Sequence, residues 1–162
     1  MGNNFEQLYI KLRKAEQRIL SDEQVMKLPD IENQHPHYSE WLKRKDTLQR
    51  FDNYLANRSF KTALEIGCGN GWFSNWLAKR VSKVTGQDIN QTEVEQARRV
   101  FTTENLQFST EENVLELSHN LMPDLVVFNA SLQYFNPEEK LIENLLELLS
   151  DSSEIHILDT PV

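Results

Sequence analysis

Between Thr62 and Arg80 the chain reads TALEIGCGNGWFSNWLAKR, with glycines at Gly67, Gly69 and Gly71, the carboxylate of Glu65 just ahead of them and Trp72 just behind. Glycines at alternate positions let the backbone take φ > 0 and approach a ligand with no Cβ in the way, while the amides at the start of a following helix point outward. A small molecule is therefore expected to lie across this turn. A dinucleotide site needs G-x-G-x-x-G to hold a pyrophosphate. Here the third glycine comes one residue early, and Trp72 stands where that pattern needs a small side chain. Glu65 would repel a diphosphate and attract a cation. The chemistry these residues suit is the holding of a positively charged nucleoside. Asp88, 17 positions after Gly71, stands where a nucleotide-binding sheet places the acid that accepts both ribose hydroxyls.

The elements around them follow from periodicity. Ala63–Ile66 is an apolar run ahead of the glycines, and apolar residues at Trp72, Phe73, Trp76 and Leu77 continue as a helix. Lys83–Asp88 reads as a second strand ending in an acid. Asn90 with Glu93 three residues later predicts a capping box for a helix carrying Val94, Ala97, Val100 and Phe101. Leu106–Phe108 is a short third strand. Pro123–Asn129 reads as a buried central strand, and Asn136 caps a helix starting at Pro137, with Leu141, Ile142, Leu145, Leu146 and Leu149 on one face. Glu154–Asp159 makes a fifth strand. Strands alternating with helices imply right-handed crossovers and a parallel sheet.

Ahead of this core, residues 1–61 predict a helical arm. Phe5, Leu8, Leu12, Ala15 and Ile19 recur at helical spacing, so Lys, Arg and Glu are expected on the outer face. Ser21 caps a second short helix that Pro29 ends, and Trp41, Leu42, Leu48, Phe51, Tyr54 and Leu55 form the apolar side of a third. His35 and His37 between them have no cysteine or third ligand in view and read as loop imidazoles; no metal site is expected.

Glu65-Ile66-Gly67-Cys68-Gly69-Asn70-Gly71 resembles the E/D-x-G-x-G-x-G first motif of class I S-adenosylmethionine-dependent methyltransferases. That cofactor carries a sulfonium and an ammonium and no phosphate, in agreement with the charge of Glu65. The resemblance implies an α/β, Rossmann-like doubly wound parallel sheet of order 3-2-1-4-5, followed in the family by a helix and strands 6 and 7. Nothing remains for those two strands, so the core (62–162) is expected to be truncated after strand 5, whose edge then lies open unless the arm or a partner covers it. The same resemblance implies cofactor contacts from Glu65, Gly67, Cys68, Gly69, Gly71, Asp88 and Ile89, and an adenine contact from Glu111, Glu112 or Asn113, among which the sequence does not choose. DLVVFNASLQYF resembles the family's fourth-strand motif, which puts Asn129 beside the cofactor and Asn129, Ser131, Gln133 and Tyr134 at the acceptor pocket. Tyr38, Trp41 and Arg44 of the arm become candidates to close the site, although each is also read simply as core packing or a solvated cation.

Composition narrows the function. The chain has 162 residues, 39% hydrophobic and 26% charged, one domain's worth of an ordinary globular protein. A single cysteine, Cys68, allows no intrachain disulfide and points to a reducing cytoplasm. No apolar run reaches the ~20 residues of a membrane span. Residues 1–61 carry 11 Lys and Arg against 9 Asp and Glu, whereas residues 62–162 carry 6 against 16, so a nucleic-acid partner is disfavoured. Taken with the resemblance, which implies an S-adenosylmethionine-dependent methyltransferase, these features favour a small-molecule substrate. The alternative is a non-catalytic binding or regulatory module on the same fold, and glycine spacing and Glu65 oppose a nicotinamide dehydrogenase. His37, Tyr134 and Asp159 are each able to serve as a base and no spacing selects one, whereas His156 reads as structural.

Overall fold

The computed structural model describes residues 2–160. Five strands, β1 (Thr62–Ile66), β2 (Lys83–Gln87), β3 (Leu106–Ser109), β4 (Leu125–Asn129) and β5 (Glu154–Leu158), form one parallel sheet in the order β3-β2-β1-β4-β5. This is the doubly wound order the sequence implies. Strand residues alternate between two apolar layers. Ala63, Val84, Leu125 and Val127 face a core shared with α3 (Tyr38–Leu55), α4 (Trp72–Ala78) and α5 (Gln91–Val100). Leu64, Ile66, Val126 and Phe128 face α6 (Val114–Leu121) and α7 (Leu141–Leu148). The central strands β1 and β4 are buried on both faces, which is why their sequences are continuously apolar rather than alternating.

Two helix boundaries differ from the expectation. Helix α6 was not anticipated, yet it carries a cap: the Asn113 side chain accepts the Glu116 amide at 3.1 Å. Helix α7 starts at Leu141, not Pro137, because Lys140 takes a left-handed φ of 48° and breaks the run; Pro137–Glu139 forms a 3-10 turn, with Asn136 accepting the Glu138 amide.

The arm consists of α1 (Gly2–Ala15), α2 (Asp22–Lys27) and α3. Ser21 and Gln24 form a full capping box for α2, and the Arg99 guanidinium grips Asp22 at 2.6 and 2.8 Å, tying α2 to α5. Helix α1 reverses the expected polarity. Phe5, Leu8 and Leu12 are 58%, 62% and 57% exposed, while Glu6, Tyr9 and Arg13 turn toward the core. The surface beneath explains it. Glu6 accepts the backbone amide and hydroxyl of Thr92, Arg13 pairs with Glu93, and Tyr9 meets Tyr134 edge-on with ring centroids 6.2 Å apart. Polar groups there draw the polar edge of α1 inward.

β1 and β4 are also joined at their starts: the Asp124 carboxylate accepts the amides of Lys61 and Thr62 at 2.8 and 2.9 Å. Asp124→Ala strands both donors, and urea unfolding should show a loss of roughly 1–3 kcal/mol at unchanged m-value.

Candidate functional site

The C-terminal ends of β1, β2 and β4 converge on the glycine turn, the place where an open parallel sheet receives ligands. Gly67, Gly69 and Gly71 have φ of 77°, 52° and 80°. At all three a Cβ would also collide or crowd: at Gly67 it would stand 2.5 Å from Ser131 Cβ, at Gly71 2.6 Å from the Phe108 ring and 2.8 Å from Ala97, and at Gly69 3.1 Å from Glu93 Oε2. Glycine at Gly67 and Gly71 is thus required by packing against β4's exit loop and against β3 and α5. At Gly69 the neighbour is a carboxylate tip, so the missing Cβ opens space at the ligand side. Cys68 is buried beneath the turn, and burial, aided by Glu65, Asp88 and Glu93, pushes its thiol well above the usual range.

Asp88 welds the turn to β2 and α5. Its Oδ2 accepts the Gly69 amide and its Oδ1 the Asn90 amide, both at 2.8 Å. Burial raises its pKa, and these two amides oppose the rise. One half of the expected capping box at α5 forms, since Asn90 Oδ1 accepts the Glu93 amide at 3.1 Å. The other half does not: the Asn90 amide goes to Asp88, which leaves the Glu93 side chain free to face Gly69 and Arg13. Sequence reasoning used Glu93 up as a cap partner and so missed it. Burial pushes Glu93 up to about 7, with Arg13 pulling down and Asp88 pushing further up.

Glu65 lies under the turn rather than in front of it. It is 2% exposed and accepts the hydroxyl of Ser74 on α4, and desolvation pushes its pKa up to about 8 against that hydrogen bond. Ser131 is buried too, and its hydroxyl donates to the Ile66 carbonyl at 2.5 Å, fixing the β4 exit against the glycine turn. Asn129 ends β4, buried, while Ile89 and Tyr134 are exposed beside the turn at 53% and 63%. Gln133 donates to the Ala130 carbonyl at 2.8 Å.

The remaining candidates divide. Gln87, buried at the end of β2, donates from Nε2 to the Glu111 carbonyl and so sets the loop that carries Glu111, Glu112 and Asn113. All three are exposed: Asn113 uses its side-chain oxygen as the α6 cap, Glu111 accepts the Asn113 amide at 2.9 Å, and Glu111 and Glu112 line a cleft with Arg98, Phe108 and Thr110. Trp41 packs edge-on against Trp72 at 5.2 Å, with the Arg44 guanidinium 5.0 Å over its ring, and Tyr38 opens α3. Arg18 and Arg44 both bond Glu40; burial would raise that carboxyl, but the two guanidiniums outweigh it and hold it at about 2.

Of the possible bases, Asp159 accepts the Thr47 hydroxyl at 2.7 Å at the end of β5. His37 stands at the N-cap position of α3 without a side-chain capping bond, and its ring Nε2 bonds the Glu16 carbonyl. His156 is wedged between Phe51 and Tyr54 and bonds Glu154. Among the described residues no group of three His, Cys, Asp or Glu side chains is arranged to hold a metal ion, and no helix is long and apolar enough to cross a membrane. A second cleft, near Asp52, Leu55 and Val81, lies at the opposite end of the strands from the glycine turn.

A family model described as a methyltransferase domain matches residues 63–152. No curated protein matches the chain. Among solved structures, an N-methyltransferase, NodS, from Bradyrhizobium japonicum in complex with S-adenosylhomocysteine superposes with a TM-score of 0.59 at 21% identity, over 76% of this chain and 62% of that one. Magnesium protoporphyrin IX methyltransferase from Synechocystis with bound S-adenosylmethionine gives 0.58 at 22% identity, over 75% and 62%. The plantazolicin methyltransferase BpumL in complex with S-adenosylhomocysteine gives 0.57 at 20% identity, over 94% and 61%. The chain thus spans about three fifths of the length of these structures.

The raised carboxyls have a consequence for stability. A folded pKa above the unfolded one means that the native state holds more protons, so the contribution of Glu65 is fully present below its unfolded pKa and is lost as pH rises toward about 8. Glu65→Gln removes that titration. Melting curves between pH 5 and 9 should therefore fall less steeply for Glu65→Gln than for the wild type, and parallel curves would contradict the burial argument.

Proposed function

The chain belongs to the family of methyltransferase domains, and on that premise we propose that it binds S-adenosylmethionine across the turn between β1 and α4 and transfers the methyl group to a small-molecule acceptor. The observation that carries this reading is the turn itself. Three left-handed glycines shape the turn, Gly69 is the one whose missing Cβ faces a side-chain tip instead of packed atoms, and among the described residues the acids around the turn are Glu65, Asp88 and Glu93, with Arg13 the cation that bears on Asp88 and Glu93. Desolvation favours the neutral forms of these acids, so a sulfonium or an ammonium that stabilises their charged forms is favoured beside them and a diphosphate is not.

In this reading Gly67, Cys68, Gly69 and Gly71 offer backbone to the cofactor, the remaining lone pairs of Asp88 take the ribose hydroxyls, and Ile89 covers the nucleoside. Glu112, whose carboxylate receives no hydrogen bond from a described residue, is the freer of the adenine candidates; Glu111 accepts the Asn113 amide and Asn113 caps α6. Glu65 acts from beneath, and Asn129 with the β4 exit borders the transferred methyl. The cofactor supplies an electrophilic methyl on sulfur. The chain's own contribution is alignment and exclusion of water, which for a displacement at carbon is worth several kcal/mol. Tyr134, Gln133 and Ser131, with Tyr38 and Trp41 from the arm (1–61), border the acceptor. The acidic balance of residues 62–162 supports a small acceptor over a nucleic acid, and the lone cysteine supports a cytoplasmic setting.

Calorimetry with S-adenosylmethionine and S-adenosylhomocysteine tests the binding half. Both are expected to bind, and Asp88→Ala to weaken both by on the order of 1–3 kcal/mol. Unchanged affinity removes Asp88 from the site, and absence of binding by the wild type overturns the reading. Mass spectrometry of metabolite pools incubated with the protein and cofactor tests the transfer half. An acceptor heavier by one methyl in place of one hydrogen is expected; cofactor binding without any such product favours the non-catalytic module.

A further inference from the structure

The three carboxylates at the glycine turn are engaged very differently. Glu65 accepts the Ser74 hydroxyl beneath the turn. Asp88 has one oxygen on the Gly69 amide and the other on the Asn90 amide. Glu93 receives a hydrogen bond from no described residue, although its side chain is only 17% exposed. Its Oε1 lies 3.7 Å from Arg13 Nη2, an ion pair longer than a hydrogen bond, and its Oε2 reaches over Gly69 to within 3.1 Å of where a Cβ would stand.

The arginine is equally poorly matched. Arg13 Nε is buried with no partner, its guanidinium lies over the Tyr9 ring 5.7 Å from the centroid, and its Nη2 reaches Glu93 only at 3.7 Å. A largely buried carboxylate that receives no hydrogen bond, beside a partly exposed guanidinium whose Nε is buried without a partner, keeps hydrogen-bonding capacity that a ligand can meet. Helix α1 accepts a further cost to bring Arg13 there, since it leaves Phe5, Leu8 and Leu12 facing solvent.

Resting on the reading above, we propose that Glu93 is the specificity-determining residue for the cofactor's positive charge: its carboxylate, aimed over Gly69 from α5, faces the sulfonium, and Arg13 of α1 is the counter-ion with which that charge competes. Glu65 and Asp88 then have other duties, Glu65 as a buried strut under α4 and Asp88 as a clamp on the turn and the ribose. Burial of Glu93, which pushes its carboxyl up to about 7, agrees with a group that lacks a full counter-charge from the protein alone.

S-adenosylmethionine and S-adenosylhomocysteine differ only in the methyl group and the charge at sulfur, so the ratio of their affinities isolates the interaction. Calorimetry on the full chain is expected to show Glu93→Gln lowering the affinity for S-adenosylmethionine about tenfold while changing that for S-adenosylhomocysteine less than about twofold. Arg13→Gln, on the arm surface, is expected to move the ratio the other way, by about threefold or more in favour of S-adenosylmethionine. It carries the test alone should Glu93→Gln fail to fold. Equal losses for both nucleosides in Glu93→Gln, or an unchanged ratio in Arg13→Gln, overturn the assignment while leaving the methyltransferase reading in place. No binding of either nucleoside by the wild type overturns both.

Discussion

The turn between β1 and α4 works only while three of its residues have no side chain. Gly67 presses on Ser131 and Gly71 on Phe108 and Ala97, so the exit of β4, the strand β3 and the helix α5 all rest on the same short stretch of backbone. Asp88 then pins that backbone through the Gly69 amide and pins α5 through the Asn90 amide. Ser131 closes the other side onto the Ile66 carbonyl. Four elements are therefore held in register by contacts that tolerate no extra atom. The same contacts leave Gly69, alone of the three, facing a side-chain tip instead of packed atoms.

The electrostatics follow from this packing. A tight turn at the carboxyl ends of parallel strands gathers acids at the end of β1, the end of β2 and the first turn of α5, and encloses them. Desolvation then raises Glu65, Asp88 and Glu93 together, and the opposing influences, hydrogen bonds from Ser74 to Glu65 and from the Gly69 and Asn90 amides to Asp88 and the charge of Arg13 on Asp88 and Glu93, offset it only in part. A site that is short of positive charge and long on enclosed carboxylates favours a cation that arrives with the ligand. The arm's other large ion cluster is built on the opposite principle: Glu40 sits between Arg18 and Arg44 and is fully compensated, as a joint within the arm requires.

The fold was legible because its signals are local. Continuous apolar runs marked β1 and β4, and side-chain caps at Ser21 and Asn90 marked α2 and α5. Helix α6 went unread although Asn113 and Glu116 stand at cap spacing, since its eight residues carry Ser118, His119 and Asn120 within a weak apolar pattern. The polarity of α1 was not legible at all: period alone says which residues share a face, whereas the face that turns inward depends on Thr92, Glu93 and Tyr134, which come from elsewhere in the chain. For the same reason Glu93 was hidden. Its spacing from Asn90 fits a capping box, and only the three-dimensional position of Asp88 shows that the amide it would have bonded is already taken.

Everything functional rests on the glycine turn receiving a cationic, phosphate-free nucleoside. The most direct measurement is amide chemical-shift mapping by nuclear magnetic resonance during titration with S-adenosylmethionine and, separately, with ADP. The account predicts that S-adenosylmethionine moves the amides of Gly67, Gly69, Gly71, Asp88 and Glu93 as one saturable set while ADP leaves them in place. Shifts confined to another part of the surface, or the same set moved by ADP, would contradict it.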